Sequence, residues 1–263
     1  MAYNDFKAES AVNYEQKCLC VLVLDVSGSM GEIISGNTRH TGKTEMIDGK
    51  MYDIVEGDDI VTKIDELNKG LQDFYNDISN DETTSQRLEV AIITFSHVVD
   101  TVQEPALVEN FTMPTLVSDG ETAMVDAVNA AIDLVQKRKD WYKLTYQNYY
   151  RPWIILMTDG EPDAGQDVAS LAKRIKDDTE SKKYAFLPIG VEGANMEILN
   201  SIAGFVNGKI MEPMILKGAN FKAFFQWLSA SIGTIVQTGN SHQLNSDGSK
   251  WMNVFENGGF DIE

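Results

Sequence analysis

Cys18-Leu19-Cys20-Val21-Leu22-Val23-Leu24-Asp25 is an unbroken apolar run that ends in an acid. A strand with one solvated face alternates apolar and polar residues. A run with no polar partner is buried on both faces, as in the centre of a parallel sheet. Similar runs occur at Leu88–Phe95, 153–157 and 184–189, and a weaker fifth at 210–214. Between them apolar residues recur at three- and four-residue steps, the helical period. One set is Ile64, Leu67, Leu71, Phe74 and Ile78, another Met124, Val128, Ile132 and Val135, and a third Phe221, Phe225, Leu228, Ile232 and Ile235. Val168, Leu171 and Ile175 mark a shorter helix, and residues 196–203 another. Strands alternating with helices predict an α/β fold: a doubly wound, mostly parallel sheet flanked by helices. Residues 98–102, turning back through Ser96 and His97, are expected to add one antiparallel edge strand.

Two segments fall outside this rhythm. Residues 31–60 are rich in Gly, Thr and Asp, and residues 44–55 read as a β-hairpin turned at Asp48-Gly49. Residues 237–263 are polar, with isolated Trp251, Phe255 and Phe260. The expectation is one domain over 1–236 with an insertion at about 31–60, and a 237–263 extension packed back on it.

The chain has 263 residues, 40 acidic against 22 basic, and a net charge of −18 spread along its length. Such a field repels nucleic acid and anionic lipid, so neither is expected as a partner, and it suits cation capture. The first ten residues carry no apolar core of a secretory signal, and no run approaches the roughly 20 residues that span a bilayer. Cys18 and Cys20, two apart on one strand, share a face and would close only a strained disulfide. Buried free thiols are expected, in keeping with a cytoplasmic home.

The chemistry gathers after the strands. Asp25-Val26-Ser27-Gly28-Ser29 follows the first run directly. Alternate residues of an extended loop face the same way, so one carboxylate and two hydroxyls converge. These hard oxygens suit Mg²⁺, Mn²⁺ or Ca²⁺ and suit zinc poorly. Met157-Thr158-Asp159-Gly160-Glu161-Pro162 sets a second acid, Asp159, at another strand's carboxyl end. Ser118-Asp119-Gly120-Glu121-Thr122 opens the helix from Met124 and can bring Thr122 to the same rim. Glu161 and Asp163 read as solvated acids.

These residues resemble the von Willebrand factor A (vWA) family and its metal-ion-dependent adhesion site. Asp25, Ser27 and Ser29 match its Asp-x-Ser-x-Ser motif, Thr122 its separate threonine, and Asp159 the aspartate of its Thr-Asp-Gly. The likeness covers roughly residues 15–236. It is nearest to the bacterial tellurium-resistance TerY-like branch, through 150–162 and 224–231. Departures are the 31–60 insertion, placed to affect access to the metal, and Asp119-Gly120-Glu121 before the threonine. The resemblance implies a binding module, not an enzyme. Its Mg²⁺ (or Mn²⁺ or Ca²⁺) grips a Glu or Asp of a protein partner, in a bacterial stress-response setting.

Other readings use the same residues. A hydrolase could employ the two aspartates with a bound water, and a scaffold could bind through the insertion. Against catalysis, Ser27 and Ser29 lack a nucleophile elbow, the loop lacks the Lys-Ser/Thr of a phosphate loop, and His40, His97 and His242 fit no ligand spacing. Trp141, Tyr142, Tyr146, Tyr149, Tyr150 and Trp153 could form a partner-binding platform, but packing between a long helix and the next strand is the favoured reading.

Overall fold

The structure, a computed structural model, describes residues 13, 15–47, 50–206 and 209–238. In chain order the elements are β1 (Cys18–Asp25), β2 (Ile33–Ile47), β3 (Lys50–Thr62), α1 (Lys63–Asn80), α2 (Glu82–Arg87), β4 (Leu88–Phe95) and β5 (Val99–Leu107). Then come α3 (Met124–Leu144), β6 (Trp153–Thr158), α4 (Val168–Glu180), β7 (Ala185–Val191) and α5 (Met196–Ser201). Short strands β8 (Phe205–Val206), β9 (Lys209–Ile210) and β10 (Met214–Leu216) precede α6 (Phe221–Thr238).

The six-stranded sheet runs β10-β7-β6-β1-β4-β5. All its pairs are parallel except β4 with β5, which makes β5 the antiparallel edge strand expected from residues 98–102. Every residue of β1 and of β4 is buried, as the unbroken apolar runs require. Cys18, Cys20, Leu22 and Leu24 face the helices α1 and α6, while Leu19, Val21 and Val23 face α3 and α4. Gly70 lets α1 and α6 close up: a Cβ there would stand 2.8 Å from the Phe225 ring and 3.0 Å from the Phe221 Cβ. Both cysteines are free and buried. Burial, with a smaller push from Glu89, raises the Cys18 thiol pKa to about 12.

The carboxyl ends of β1 and β6 lie side by side at the point where strand order reverses. From β1 the sheet continues to β4 on one side and to β6 on the other. That crevice is where ligands bind in open α/β sheets. At the opposite end of β4, Glu89 is fully buried and accepts hydrogen bonds from Arg138 Nε (2.8 Å) and Nη2 (2.6 Å) and from the Tyr142 hydroxyl. Arg138 also lies over the Trp141 ring.

Three expectations change. The fifth strand is Met214–Leu216 and not 210–214. Ile210 belongs to a separate ribbon with Phe205–Val206, and Pro213, which has no N–H, separates the two. The insertion is one long hairpin, β2 with β3, pairing from Ile33↔Thr62 to Ile47↔Lys50 and broken by register shifts. It forms a sheet of its own, and its Asp48-Gly49 turn lies outside the described residues, as does the 237–263 extension apart from the last residues of α6. The aromatic run is packing only in part. Trp153, Tyr150 and Tyr142 are buried and Tyr142 stacks on Tyr149, but Tyr146 is 95% exposed. It occupies the positive-φ turn just after α3.

α1 begins at a hydrogen-bonded capping box. The Thr62 hydroxyl accepts from the Asp65 N–H, and the Asp65 carboxylate accepts from the Thr62 N–H. The two ends of the hairpin therefore meet beside the sheet, where the Lys63 N–H donates to the Glu32 carbonyl at 3.0 Å.

Candidate metal site

Asp25 is the last residue of β1 and is wholly buried. Its Oδ1 accepts the Ser27 N–H at 2.8 Å, which folds the loop back over the strand end. Its Oδ2 accepts the Thr158 hydroxyl from the neighbouring β6 at 2.5 Å. Burial raises its pKa to about 6, and the bonds from Ser27 and Thr158 offset only part of that rise.

The other side chains form a chain of oxygens. Ser27 Oγ and Ser29 Oγ are 3.1 Å apart, and the Ser29 hydroxyl donates to Asp159 Oδ1 at 2.6 Å. Thr122 joins from the third loop. A Cβ placed on Gly160 would lie 3.5 Å from Thr122 Oγ1 and 3.8 Å from Asp25 Oδ2, so both oxygens border one small space that glycine leaves open. Asp25, Ser27, Ser29, Thr122 and Asp159, spread over 135 residues of sequence, thus meet at one rim. Ser27, Thr122 and Asp159 are buried like Asp25, and Ser29 is partly exposed.

Thr122 does not cap α3 with its side chain; the residue before that helix is Ala123, which has no side-chain acceptor. The loop after β6 supplies what is missing. The Asp163 carboxylate accepts the Thr122 N–H at 3.0 and 3.1 Å. Gln166 accepts the Val125 N–H at 2.6 Å and donates to the Thr122 carbonyl at 2.7 Å. Asp163 is therefore a fixed support for Thr122 and not the solvated acid expected of it, because the Thr122 and Val125 N–H groups at the start of α3 needed acceptors. Glu161 is exposed, as expected, and accepts from Asn195 at 2.7 Å. Gly120 takes φ +79, and a Cβ there would sit 2.4 Å from His97 Nδ1, so this approach to Thr122 requires glycine.

Lys63 completes the site and was not anticipated. Its ammonium donates to Asp159 Oδ2 and to Glu32 Oε2, both at 2.7 Å, and to the Glu192 carbonyl at 3.1 Å. Burial works against its charge, but the bonds to Asp159 and Glu32 prevail and hold its pKa above the usual lysine value. The sequence did carry a signal. Lys63 stands four residues before Leu67 and eight before Leu71, on the apolar face of α1, where an unpaired charge would be costly.

The donor set suits a small hard cation. It offers two carboxylates and three hydroxyls, with no nitrogen or sulfur. Among the described residues no group of three or more His, Cys, Asp or Glu could hold a metal, so any ion here depends on the hydroxyls.

The sequence profile of the von Willebrand factor type A domain matches residues 58–222. The chain belongs to the vWA family. The profile begins inside β3, so β1 and the Asp25–Ser29 loop precede the matched stretch. No curated protein matches the vWA chain in sequence. Among solved structures it is similar to the D319A mutant of the PilB minor pilin from Streptococcus sanguinis. Identity is 16% and the TM-score 0.54, over 87% of this chain and 63% of that one. It is also similar to the vWF domain of the type V pili tip protein Mfa5 from Porphyromonas gingivalis. There identity is 10% and the TM-score 0.52, over 84% of this chain and 97% of that one. The vWA chain spans just under two thirds of PilB, and at these identities the likeness is one of fold.

Proposed function

We propose that this vWA domain is a divalent-metal-dependent protein-binding module and not an enzyme. Asp25, Ser27, Ser29, Thr122 and Asp159 would hold Mg²⁺, with Mn²⁺ or Ca²⁺ as substitutes. The observation that carries this reading is the convergence of those five side chains at the β1–β6 crevice. When bound, the cation would supply a Lewis-acidic position for a carboxylate oxygen of a partner's Glu or Asp.

The chain's own residues do the positioning. Thr158 and the Ser27 N–H aim the Asp25 carboxylate, Ser29 bridges Ser27 to Asp159, and Asp163 with Gln166 holds Thr122 at the rim. Among the described residues no histidine is bonded to these carboxylates, which favours binding over general-base catalysis. The net charge of −18 argues for a protein partner and against nucleic acid or anionic membrane. It also means that local contacts, not long-range attraction, must bring in an acidic group.

The TerY-like, stress-response setting is part of the proposal and rests on the motifs at 150–162 and 224–231. A cytoplasmic home is proposed from the two free thiols. No helix of the described residues is long and apolar enough to cross a membrane.

Calorimetry with Mg²⁺ and Mn²⁺ on wild type and Asp25→Ala tests the metal site; equal traces from the two folded proteins would overturn it. Affinity capture from the native cell, with and without EDTA, tests the bridge. Partners that persist in chelator would count against recognition through a metal.

A further inference from the structure

We propose that Lys63 is a built-in counter-cation of this site: it positions Asp159, weakens the hold on the dication, and strengthens the loaded site's hold on a partner's carboxylate. The inference rests on the metal-site reading and adds to it a residue and a direction of effect.

The geometry is specific. A lysine ammonium has three protons to donate. Here each has an acceptor: Asp159 Oδ2, Glu32 Oε2 and the Glu192 carbonyl. The side chain is 6% exposed, so water does little to screen its charge. Asp159 in turn has both oxygens engaged, Oδ1 by the Ser29 hydroxyl and Oδ2 by Lys63. It is held like a plate between the site and a fixed positive charge. The β7–α5 loop closes the far side: a Cβ at Gly193 would lie 3.5 Å from the Asp159 carbonyl and 4.0 Å from Lys63 Nζ.

Charge decides the consequence. Asp25 and Asp159 alone would bring a dication to neutrality, which leaves an incoming carboxylate only the open coordination position. With Lys63 bonded to Asp159, the core of the loaded site carries one net positive charge. The same charge repels the dication itself. A single charge facing a dication at about 6 Å is worth roughly tenfold in affinity even at the dielectric of bulk water. Glu32, 57% exposed, offsets Lys63 only through a well-solvated group. Lys63 would thus exchange some metal affinity for selectivity toward anionic ligands.

The test uses the whole chain, with circular dichroism to establish folding. Mn²⁺ is titrated calorimetrically into wild type, Lys63→Met and Lys63→Arg, and acetate is then titrated into each Mn²⁺-loaded protein. Lys63→Met is expected to bind Mn²⁺ about tenfold more tightly and acetate severalfold more weakly, while Lys63→Arg stays near wild type. A residue with only a structural role would shift Mn²⁺ affinity downward when removed. Folded Lys63→Met with equal or weaker Mn²⁺ affinity than wild type therefore overturns the inference and leaves the metal site standing. Wild type that takes up no Mn²⁺ overturns both. Should Lys63→Met not fold, Lys63→Gln decides, because its amide can still donate to Asp159 but carries no charge. Mn²⁺ binding should again tighten, and an affinity equal to or below that of wild type would refute the role.

Discussion

Replacing Arg138 with Met strands a carboxylate in the interior. Glu89 and Arg138 are 0% and 1% exposed, and Arg138 gives Glu89 a two-pronged bond at 2.8 and 2.6 Å. After Arg138→Met the Glu89 charge keeps only the Tyr142 hydroxyl among these partners, in a place water does not reach. Breaking a buried pair from one side costs about 3–5 kcal/mol. At about 2–4 °C per kcal/mol for a domain of this size, Tm should fall by roughly 6–20 °C. Removing the whole network should cost far less, since buried pairs replaced by apolar groups of similar volume are often near neutral. The triple variant Glu89→Leu, Arg138→Met, Tyr142→Phe is therefore expected to recover most of the loss. Urea unfolding followed by circular dichroism and by tryptophan fluorescence measures all three proteins. A single variant within about 1 kcal/mol of wild type, or a triple variant as unstable as the single, would refute the reasoning. Because Glu89 pairs with Leu19 at one end of β1 and the metal site lies past Asp25 at the other, dication binding by folded Arg138→Met should match wild type.

Other expectations follow from the same geometry. Thr158→Val removes the donor to the buried Asp25 Oδ2 and should cost about 1–3 kcal/mol of unfolding free energy, with weakened Mn²⁺ binding by calorimetry. Cys18, its pKa pushed up to about 12, and Cys20, raised well above the usual thiol value by burial, should resist a thiol reagent in the native protein. Both should react once the chain is unfolded, and rapid native labelling would contradict their burial. Replacing residues 33–62 with a short turn should leave the rest of the domain folded, since its ends already meet at Glu32 and Lys63. The expected loss, read by thermal melting, is about 1 kcal/mol for the missing Thr62 cap.

Much of the architecture was legible without coordinates. Full burial on both faces of a parallel strand leaves an unmistakable run, so β1, β4, β6 and β7 could be read closely from composition alone. Helix α2 was not, because Glu82–Arg87 has no apolar stripe; it is held by the Asp81 side chain accepting the Thr84 N–H. The five site residues were readable as a motif because each follows or precedes an element of known type. Asp163, Gln166 and Thr158 were not distinguishable from ordinary loop and strand residues, since their partners lie far off in sequence or on another strand.

What the residue order determined by itself was periodicity: which segments bury two faces, which bury one stripe, and which strand ends carry oxygen ligands. Those are local properties, set by a side chain's polarity and its place in the repeat. Only the tertiary structure decided that Lys63 reaches across 96 residues to Asp159 and that the hairpin's two ends meet at that same ammonium. A charge on a helix's apolar face signals that a partner must exist, but which partner it finds depends on strand order, and strand order is written in no single segment.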